Sequence, residues 1–321
     1  MKKQISNSNS MVIGMCLGIS VGTAIGAVTH NMGMWIPVGL CTGMCIGSLV
    51  SLVPARKQDK TCVSQHVKPP KEIGENIWQF TEGDKPFFDV NAYLIIGDRS
   101  ALLVDALQSE TGMLEEIRKL TDKPLEVLIT HGHRDHAGNA VAEFHEAGIP
   151  MYMNHQDYEM IKDADYGMGS DWLTDLKPGH VFDLGNYRFE ILPVEGHTKG
   201  SVAALDREHQ LLFSGDSIGS GNFWMQLPGC SQLHVFREDL EKLAAACADC
   251  PDLLVFPGHR SQSPVQLTGQ YVKDTLYITN GLLDGSLKGE PASIPWNNGE
   301  LKYLQTGYGQ MVHYCYNPNN L

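Results

Sequence analysis

The sequence is short of positive charge, lacks any framework spacing of cysteines, and over two stretches near its start it has no charge at all. Lys and Arg number 24 against 37 Asp and Glu in 321 residues, for a net charge of −13 at neutral pH. The cations Lys2, Lys3, Arg56, Lys57 and Lys60 face only Asp59 within the first sixty residues, so that segment carries +4 and the remainder carries −17. The remainder therefore lacks the clustered Lys and Arg that neutralise a phosphate backbone, which sets nucleic acid aside as a partner and favours a small-molecule substrate. The eight cysteines show no framework spacing, as expected of a chain in a reducing compartment. Cys16, Cys41 and Cys45 sit in apolar runs and read as small hydrophobes, and Cys247 and Cys250 form one CADC at a helix end. No internal repeat appears beyond residue 75.

The uncharged stretches are residues 11–29, MVIGMCLGISVGTAIGAVT, and residues 34–53, MWIPVGLCTGMCIGSLVSLV, joined by HNMG. Each is about 20 residues, enough for a helix to cross a bilayer's hydrocarbon core. Two such runs and a tight turn predict a transmembrane hairpin over residues 1–53. Gly14, Gly18, Gly22 and Gly26 recur every four residues, as do Gly39, Gly43 and Gly47. Glycines at that spacing share a helix face and let two backbones approach closely, within one hairpin or between copies in a homo-oligomer. The stretch resembles small glycine-zipper membrane proteins. The lysines before it and the cations after it place both ends in the cytoplasm by the positive-inside tendency, which makes this a multi-pass cell-membrane protein with a cytoplasmic catalytic part. Residues 54–72, polar and proline-bearing, read as a linker.

From residue 73 to 321 strands and helices alternate, predicting a layered α/β domain with helices over packed sheets. NAYLIIG, RSALLVDA, PLEVLIT, YRFEILPV, SVAALD, QLLFSGD and DLLVFPGH read as strands, and ELKYLQTGY and GQMVHYCY as a closing strand pair. SETGMLEEIRKL, NAVAEFHEAG, REDLEKLAAAC and QLTGQYVKDTLYITNGLLDG read as helices, the first with Ser109 as N-cap and the second closed by Gly148.

Thirteen histidines in 321 residues are only a mild enrichment, and placement rather than number is informative. His131, His133, Asp135 and His136 fall within THGHRDHAG, directly after an apolar strand. His197 lies in EGHTKGS, Asp216 in FSGDS and His259 in FPGHRS, each just past a strand end. Imidazole nitrogen and carboxylate oxygen suit zinc, and iron or manganese accept the same donors. Seven ligands exceed what one ion needs and fit two neighbouring ions sharing a bridge.

The motif order resembles the metallo-β-lactamase superfamily over residues 75–320. The resemblance implies a four-layer αβ/βα sandwich with the active site along one edge. It implies that His131, His133 and His197 hold a first ion, that Asp135, His136 and His259 hold a second, and that Asp216 bridges them. Asp105, in LLVDA, would orient a ligand histidine. The expected cofactors are two divalent ions, zinc foremost. The expected chemistry is attack by a metal-bridged hydroxide on an ester, thioester, lactone or related bond, with Asp135 positioning or passing a proton. A phosphodiesterase, an iron-dependent redox enzyme and a membrane-tethered non-catalytic module are the alternatives. Asp216 resembles the thioesterase, lactonase and phosphodiesterase branches, since true β-lactamases usually carry Cys or Ser there. The chain end GQMVHYCYNPNNL lacks the basic helical tail of glutathione-thioester hydrolases, so glutathione substrates are not expected. Tyr166, Trp172, Phe223 and Trp224 are the aromatic candidates for an apolar substrate wall.

Overall fold

The computed structural model describes residues 67–83, 89–108, 112–162, 169–177, 179–294, 297–305 and 313–321, together with residue 309 and scattered positions between 21 and 38. The chain divides into two units, Met1–Cys62 and Val63–Leu321. In the first, the described residues between 21 and 28 are helical, and the Thr29 amide donates to the Ile25 carbonyl at 2.9 Å. Both expected membrane spans lie largely outside the described residues. No helix among the described residues is long and apolar enough to cross a membrane.

The second unit is built on two large sheets. The first has seven strands in chain order: β1 (Val67–Gly74), β2 (Ile77–Glu82), β3 (Val90–Ile96), β4 (Ala101–Val104), β5 (Leu125–Leu128), β6 (Met151–Met153) and β7 (Leu173–Asp175). Strands β1 to β4 form an antiparallel meander. From β4 to β7 pairing is parallel. Parallel neighbours need a crossover, and helices α1 (Met113–Leu120), α2 (Ala140–Glu146) and α3 (Tyr158–Lys162) supply them. The second sheet has the order β14-β13-β11-β10-β9-β8, from β8 (Val181–Asp183), β9 (Arg188–Pro193), β10 (Val202–Asp206), β11 (Leu211–Gly215), β13 (Leu254–Pro257) and β14 (Leu267–Thr268). The segment between β11 and β13 holds β12 (Asn222–Met225) and α4 (Leu233–Ala246), and α5 (Gly269–Asp284) follows β14.

Side chains from both sheets interleave in one cluster: Ile95, Leu102 and Val104 from the first, with Phe189, Ile191 and Phe213 from the second. The outer face of the first sheet packs on α1, α2 and α3 through residues such as Leu103, Ile117 and Phe144. The outer face of the second packs on α4 and α5 through Leu212, Leu240 and Ile278. These three apolar layers make the expected four-layer sandwich. Central strands β4, β10 and β11 are buried on both faces and read as continuous apolar runs for that reason.

Several details differ from the sequence expectations. Strand β1 begins at Val67, within the stretch expected as linker. Its Pro69 and Pro70 fall at a register shift on an edge strand, where a missing N–H costs no ladder bond. A third sheet, β12-β17-β16-β15, adds β15 (Glu290–Ile294), β16 (Asn297–Gln305) and β17 (His313–Tyr316). The closing pair is thus present, and it docks in parallel on β12. Ser109 lies outside the described residues. Helix α1 starts after Gly112 with no side-chain cap of its own. Its free N-terminal amides are taken by Glu143 of α2, which accepts from Gly112 and, at 3.4 Å, from Leu114. Helix α2 ends at Gly148 with φ 68, as its sequence indicated.

Candidate metal centre

The C-terminal ends of β4, β5, β9, β11 and β13 open on one edge of the sandwich. They deliver, in order, Asp105, the segment His131–His136, His197, Asp216 and His259. Hydrogen bonds to main-chain carbonyls hold these loops together across the two sheets. The Val202 amide donates to the Thr130 carbonyl at 3.0 Å, the Asn91 amide to the Gly258 carbonyl at 2.7 Å, and the Tyr93 hydroxyl to the Pro257 carbonyl at 2.7 Å.

Seven side chains converge there. Nε2 of His131 lies 3.1 Å from Nδ1 of His133, which lies 3.0 Å from Nε2 of His197. His259 Nε2 is 3.3 Å from Asp135 Oδ2 and 3.0 Å from Asp216 Oδ2. His136 Nε2 is 3.7 Å from Asp216 Oδ1 and 3.9 Å from Asp135 Oδ2, and His197 Nε2 is 3.7 Å from Asp216 Oδ2. Asp216 therefore reaches both halves of the cluster. Three donor groups lie close enough to share an ion: His131 with His133 and His197, His131 with His136 and Asp216, and Asp135 with His136 and His259.

The outward nitrogens explain which atoms face inward. His136 Nδ1 donates to Asp105 Oδ2 at 2.8 Å, His197 Nδ1 to the Trp224 carbonyl at 2.8 Å, and His259 Nδ1 to the Asp89 carbonyl. His131 Nδ1 meets Thr130 Oγ1 at 3.1 Å, and that hydroxyl donates to Asp105 Oδ2 at 3.0 Å. With each Nδ1 committed outward, the four Nε2 atoms face the centre, where a bound cation would take their lone pairs. Asp105 is itself fixed by the Thr130 amide at 2.8 Å, in a left-handed backbone conformation with φ 66 that a non-glycine residue adopts only under constraint.

Two inward atoms, His136 Nε2 and Asp216 Oδ1, are buried without a hydrogen-bond partner. Burying such groups unsatisfied costs about 1–3 kcal/mol each, so the site is built for something that uses them. A divalent cation fits. Nitrogens about 2.0–2.1 Å from tetrahedral zinc stand roughly 3.3 Å from one another, close to the separations found here. Gly258 keeps the space open, since a Cβ there would lie 2.3 Å from His136 Cε1 and 2.5 Å from Asp216 Oδ1.

The electrostatics point the same way. Burial, and then the neighbouring imidazoles, push His131 well below its ordinary pKa and His133 down to about 3, so both are neutral lone-pair donors. Burial also opposes charge on His136 and His259. The carboxylates outweigh it, Asp105 and Asp216 raising His136 to about 10, and Asp216 and Asp135 raising His259 well above its usual value. Asp216 is held well below the carboxylate range despite burial, by His259 and His136. The half of the cluster that gathers carboxylates thus holds protons strongly, and a divalent cation competes for the same field.

Among the described aromatic candidates, Phe223 and Trp172 pack away from this edge and Trp224 stands beside it. Phe223 is fully buried beneath α4, its ring 5.0 Å from that of Phe236 and 4.7 Å from that of Tyr314, so its expected place in a substrate wall gives way to a core role. Trp172 stacks on His145 at 4.0 Å and packs with the outer cluster of the first sheet. Trp224 serves His197 through its carbonyl. Tyr166 lies outside the described residues. His155 and His209 pair instead with Asp175 and Asp206.

Asp157 was not singled out by sequence. It is 1% exposed and accepts from the Gly132 amide at 2.9 Å, the Gly200 amide at 2.7 Å and the Thr198 hydroxyl at 2.6 Å. It therefore ties the His131–His133 loop to the loop that carries His197. A Cβ at Gly132 or Gly200 would lie within 3.1 Å of it, which is why both positions are glycine. Its only signal in the sequence was position, four residues past the end of β6, where the other strand-end ligands also stand.

The family model of the metallo-beta-lactamase superfamily matches residues 86–259, more than half of the chain. The chain belongs to the metallo-beta-lactamase superfamily. Residues 4–52 match the model of the glycine zipper membrane proteins. A probable metallo-hydrolase of Bacillus subtilis is 30% identical over 189 residues, covering 54% of this chain and 87% of the relative. A hydroxyacylglutathione hydrolase of Haemophilus influenzae is 25% identical over 195 residues, covering 56% and 89%. The solved structure of a metallo-beta-lactamase from Pontibacter korlensis superposes with a TM-score of 0.53 at 15% identity, covering 67% of this chain and 99% of that one, a likeness of fold. As a superfamily member with hydrolases among its relatives, the chain is an MBL-fold hydrolase.

Proposed function

We propose that this hydrolase is a dinuclear metalloenzyme that cleaves an ester, thioester or lactone bond in a small molecule. The observation that carries the reading is the buried, unpartnered pair His136 Nε2 and Asp216 Oδ1 at the centre of seven converging donors. His131, His133 and His197 would hold one ion, Asp135, His136 and His259 the other, and Asp216 both. Zinc suits the donors best, and iron or manganese are accepted by the same set. Two divalent ions there would lower the pKa of water toward neutrality and polarise the substrate carbonyl.

The protein's own contribution is orientation. Asp105 fixes His136 and, through Thr130, His131. Asp135 is a third exposed on its side chain and lies on the solvent side of the cluster, where Oδ2 can accept a hydrogen bond from an incoming water. The four outward Nδ1 bonds keep the inward lone pairs aligned, so little reorganisation is needed during reaction. The products are a carboxylic acid and an alcohol or thiol. The Haemophilus relative named as a hydroxyacylglutathione hydrolase supports the thioester arm.

The reading includes membrane attachment by residues 11–53, with a linker to Val67 and a catalytic part on the cytoplasmic side. The glycine stripe and the match of residues 4–52 to glycine zipper membrane proteins support it. The same stripe would let two copies pair. Alkaline carbonate washing should leave the full chain in the membrane pellet, and release into the supernatant would contradict attachment.

The test of function is a panel of esters, thioesters, lactones and phosphodiesters. It would be offered to the full chain in detergent, after chelation and after reloading with zinc. Turnover of an acyl substrate should vanish on chelation, return on reloading and be absent in His133→Ala. Equal turnover in His133→Ala sinks the proposal.

A further inference from the structure

Beside the metal centre the sandwich opens into a groove of ≈ 380 Å³ with a basic lining, and nothing above gives it a role. Its floor is the end of the β1–β2 hairpin, with Lys68, Lys71, Gln79 and Thr81. Its far wall is the segment directly after His259, with Arg260 and Ser261. The geometry points to a subsite for an anionic group of the substrate, a carboxylate or phosphate carried at a distance from the bond that is cut. The inference rests on the hydrolase reading for the substrate's reactive end, and concerns only what the other end carries.

The placement of the two lysines is specific. Residues three apart on a strand normally face opposite sides. Here Lys68 pairs with Thr81 and Lys71 with Gln79, and the register shift between them absorbs the extra residue. Thr81 and Gln79 are two apart on β2 and share a face, so the irregularity at Pro69 and Pro70 brings both ammonium groups to one side of the sheet. On that face the apolar Ile77 gives way to Gln79 and Thr81 toward the open edge, so the inter-sheet core ends where the groove begins.

The charges in the groove are available to a ligand. Among the described residues neither Lys68, Lys71 nor Arg260 forms an ion pair. Arg260 spends Nη1 on the Ser263 carbonyl at 2.9 Å, which steadies the guanidinium. The one carboxylate in the lining, Asp89, is buried and committed elsewhere. It accepts from the Ser261 amide at 3.2 Å, from the Ser261 hydroxyl and from Asn91 Nδ2 at 3.3 Å. Three cations against one hydrogen-bonded carboxylate stand out in a segment whose net charge is −17.

The groove is also coupled in space to the centre. The Asp89 carbonyl accepts from His259 Nδ1, and Arg260 and Ser261 continue from His259 along the chain. A ligand with its acyl bond at the ions would therefore extend its leaving group or its acyl tail along this wall. Lysine and arginine hold such anions through charge-assisted hydrogen bonds, with arginine able to offer two parallel donors.

The test compares three thioesters on the zinc-loaded full chain: S-acetyl-N-acetylcysteamine, which is neutral, acetyl-coenzyme A, which brings phosphates, and S-lactoylglutathione, which brings carboxylates. The wild type should prefer at least one anionic substrate by roughly tenfold or more in kcat/KM, carried by KM, with the preference falling as salt rises. The phosphate and carboxylate arms identify which anion the groove takes. In Arg260→Gln, and separately in Lys68→Gln/Lys71→Gln, the anionic-to-neutral ratio should fall by about tenfold per bonded cation removed. The ratio is taken within each variant, so a partial folding defect cancels. A ratio unchanged in both variants overturns the subsite. If no thioester turns over in the wild type, the thioester arm of the hydrolase reading fails separately. Calorimetric binding of desulfo-coenzyme A and S-methylglutathione then decides the groove. Binding weakened about tenfold in Lys68→Gln/Lys71→Gln supports it, and no binding, or equal binding, overturns it.

Discussion

His136 Nδ1 and Asp105 Oδ2 lie 2.8 Å apart with both side chains sealed from solvent, and this contact turns the opposite nitrogen of His136 to face Asp216. The pair shows how the centre is organised throughout. Four of the inward nitrogens are aimed by outward bonds, and the residues making those bonds come from separate segments of the chain.

Replacing Asp105 should therefore act through His136. Asp105→Asn leaves an oxygen that can accept from only one of its present donors at full strength, and removes the charge behind the imidazole. Affinity for the more weakly held zinc should fall about 10–100-fold, as for other partners of ligating histidines, while the fold persists. Zinc titration of the chelated variant measures this.

Asp157→Ala should destabilise the protein and the centre together. Three donors from two loops lose this buried acceptor, the Gly132 and Gly200 amides and the Thr198 hydroxyl. Unfolding by denaturant should show a loss of roughly 2–5 kcal/mol, with Asp157→Asn recovering part of it.

Gly258→Ala separates site geometry from folding. The added methyl would stand 2.3 Å from His136 and 2.5 Å from Asp216, within the space assigned to an ion. Circular dichroism should remain that of the wild type, and zinc bound per chain should drop by about one.

Phe223→Ala checks the reassignment of an expected substrate contact. A core aromatic reduced to alanine costs about 3–5 kcal/mol, so the melting temperature should fall while KM at permissive temperature stays within about twofold. A large KM change with unaltered stability would return Phe223 to the substrate wall.

Chelated protein should have its own pH dependence. His136 is raised to about 10 when folded, against about 6.5 when unfolded. A group raised in this way stabilises the fold fully below the unfolded pKa and loses that contribution as pH climbs through the folded one. Stability of the metal-free protein should decline between pH 7 and 10, whereas zinc-loaded protein, with the imidazole deprotonated by its ligand, should not share the decline. Denaturation curves across that range distinguish the two.

The sequence makes the converging histidines and aspartates legible because each follows an apolar strand directly, and a strand end on a packed sheet has few places to go. His197, Asp216 and His259 are separated by tens of residues, yet all stand past strands that share one sheet. What holds the ligands was less legible. Asp157 works through amides 25 and 43 residues away, and Glu143 caps a helix that starts 30 residues before it. Such contacts exist only once the sandwich has formed. A strand rich in aromatics next to a glycine turn, such as the one bearing Phe223, looks alike in sequence whether it lines a groove or packs under a helix. Two prolines disguise the edge strand that begins at Val67.

Metal stoichiometry tests the central claim most directly. Elemental analysis of zinc-reloaded full-length chain should give two ions per chain, falling to one or fewer in Asp216→Ala. One ion or none in the wild type, or two retained in Asp216→Ala, would contradict a dinuclear centre bridged by that residue.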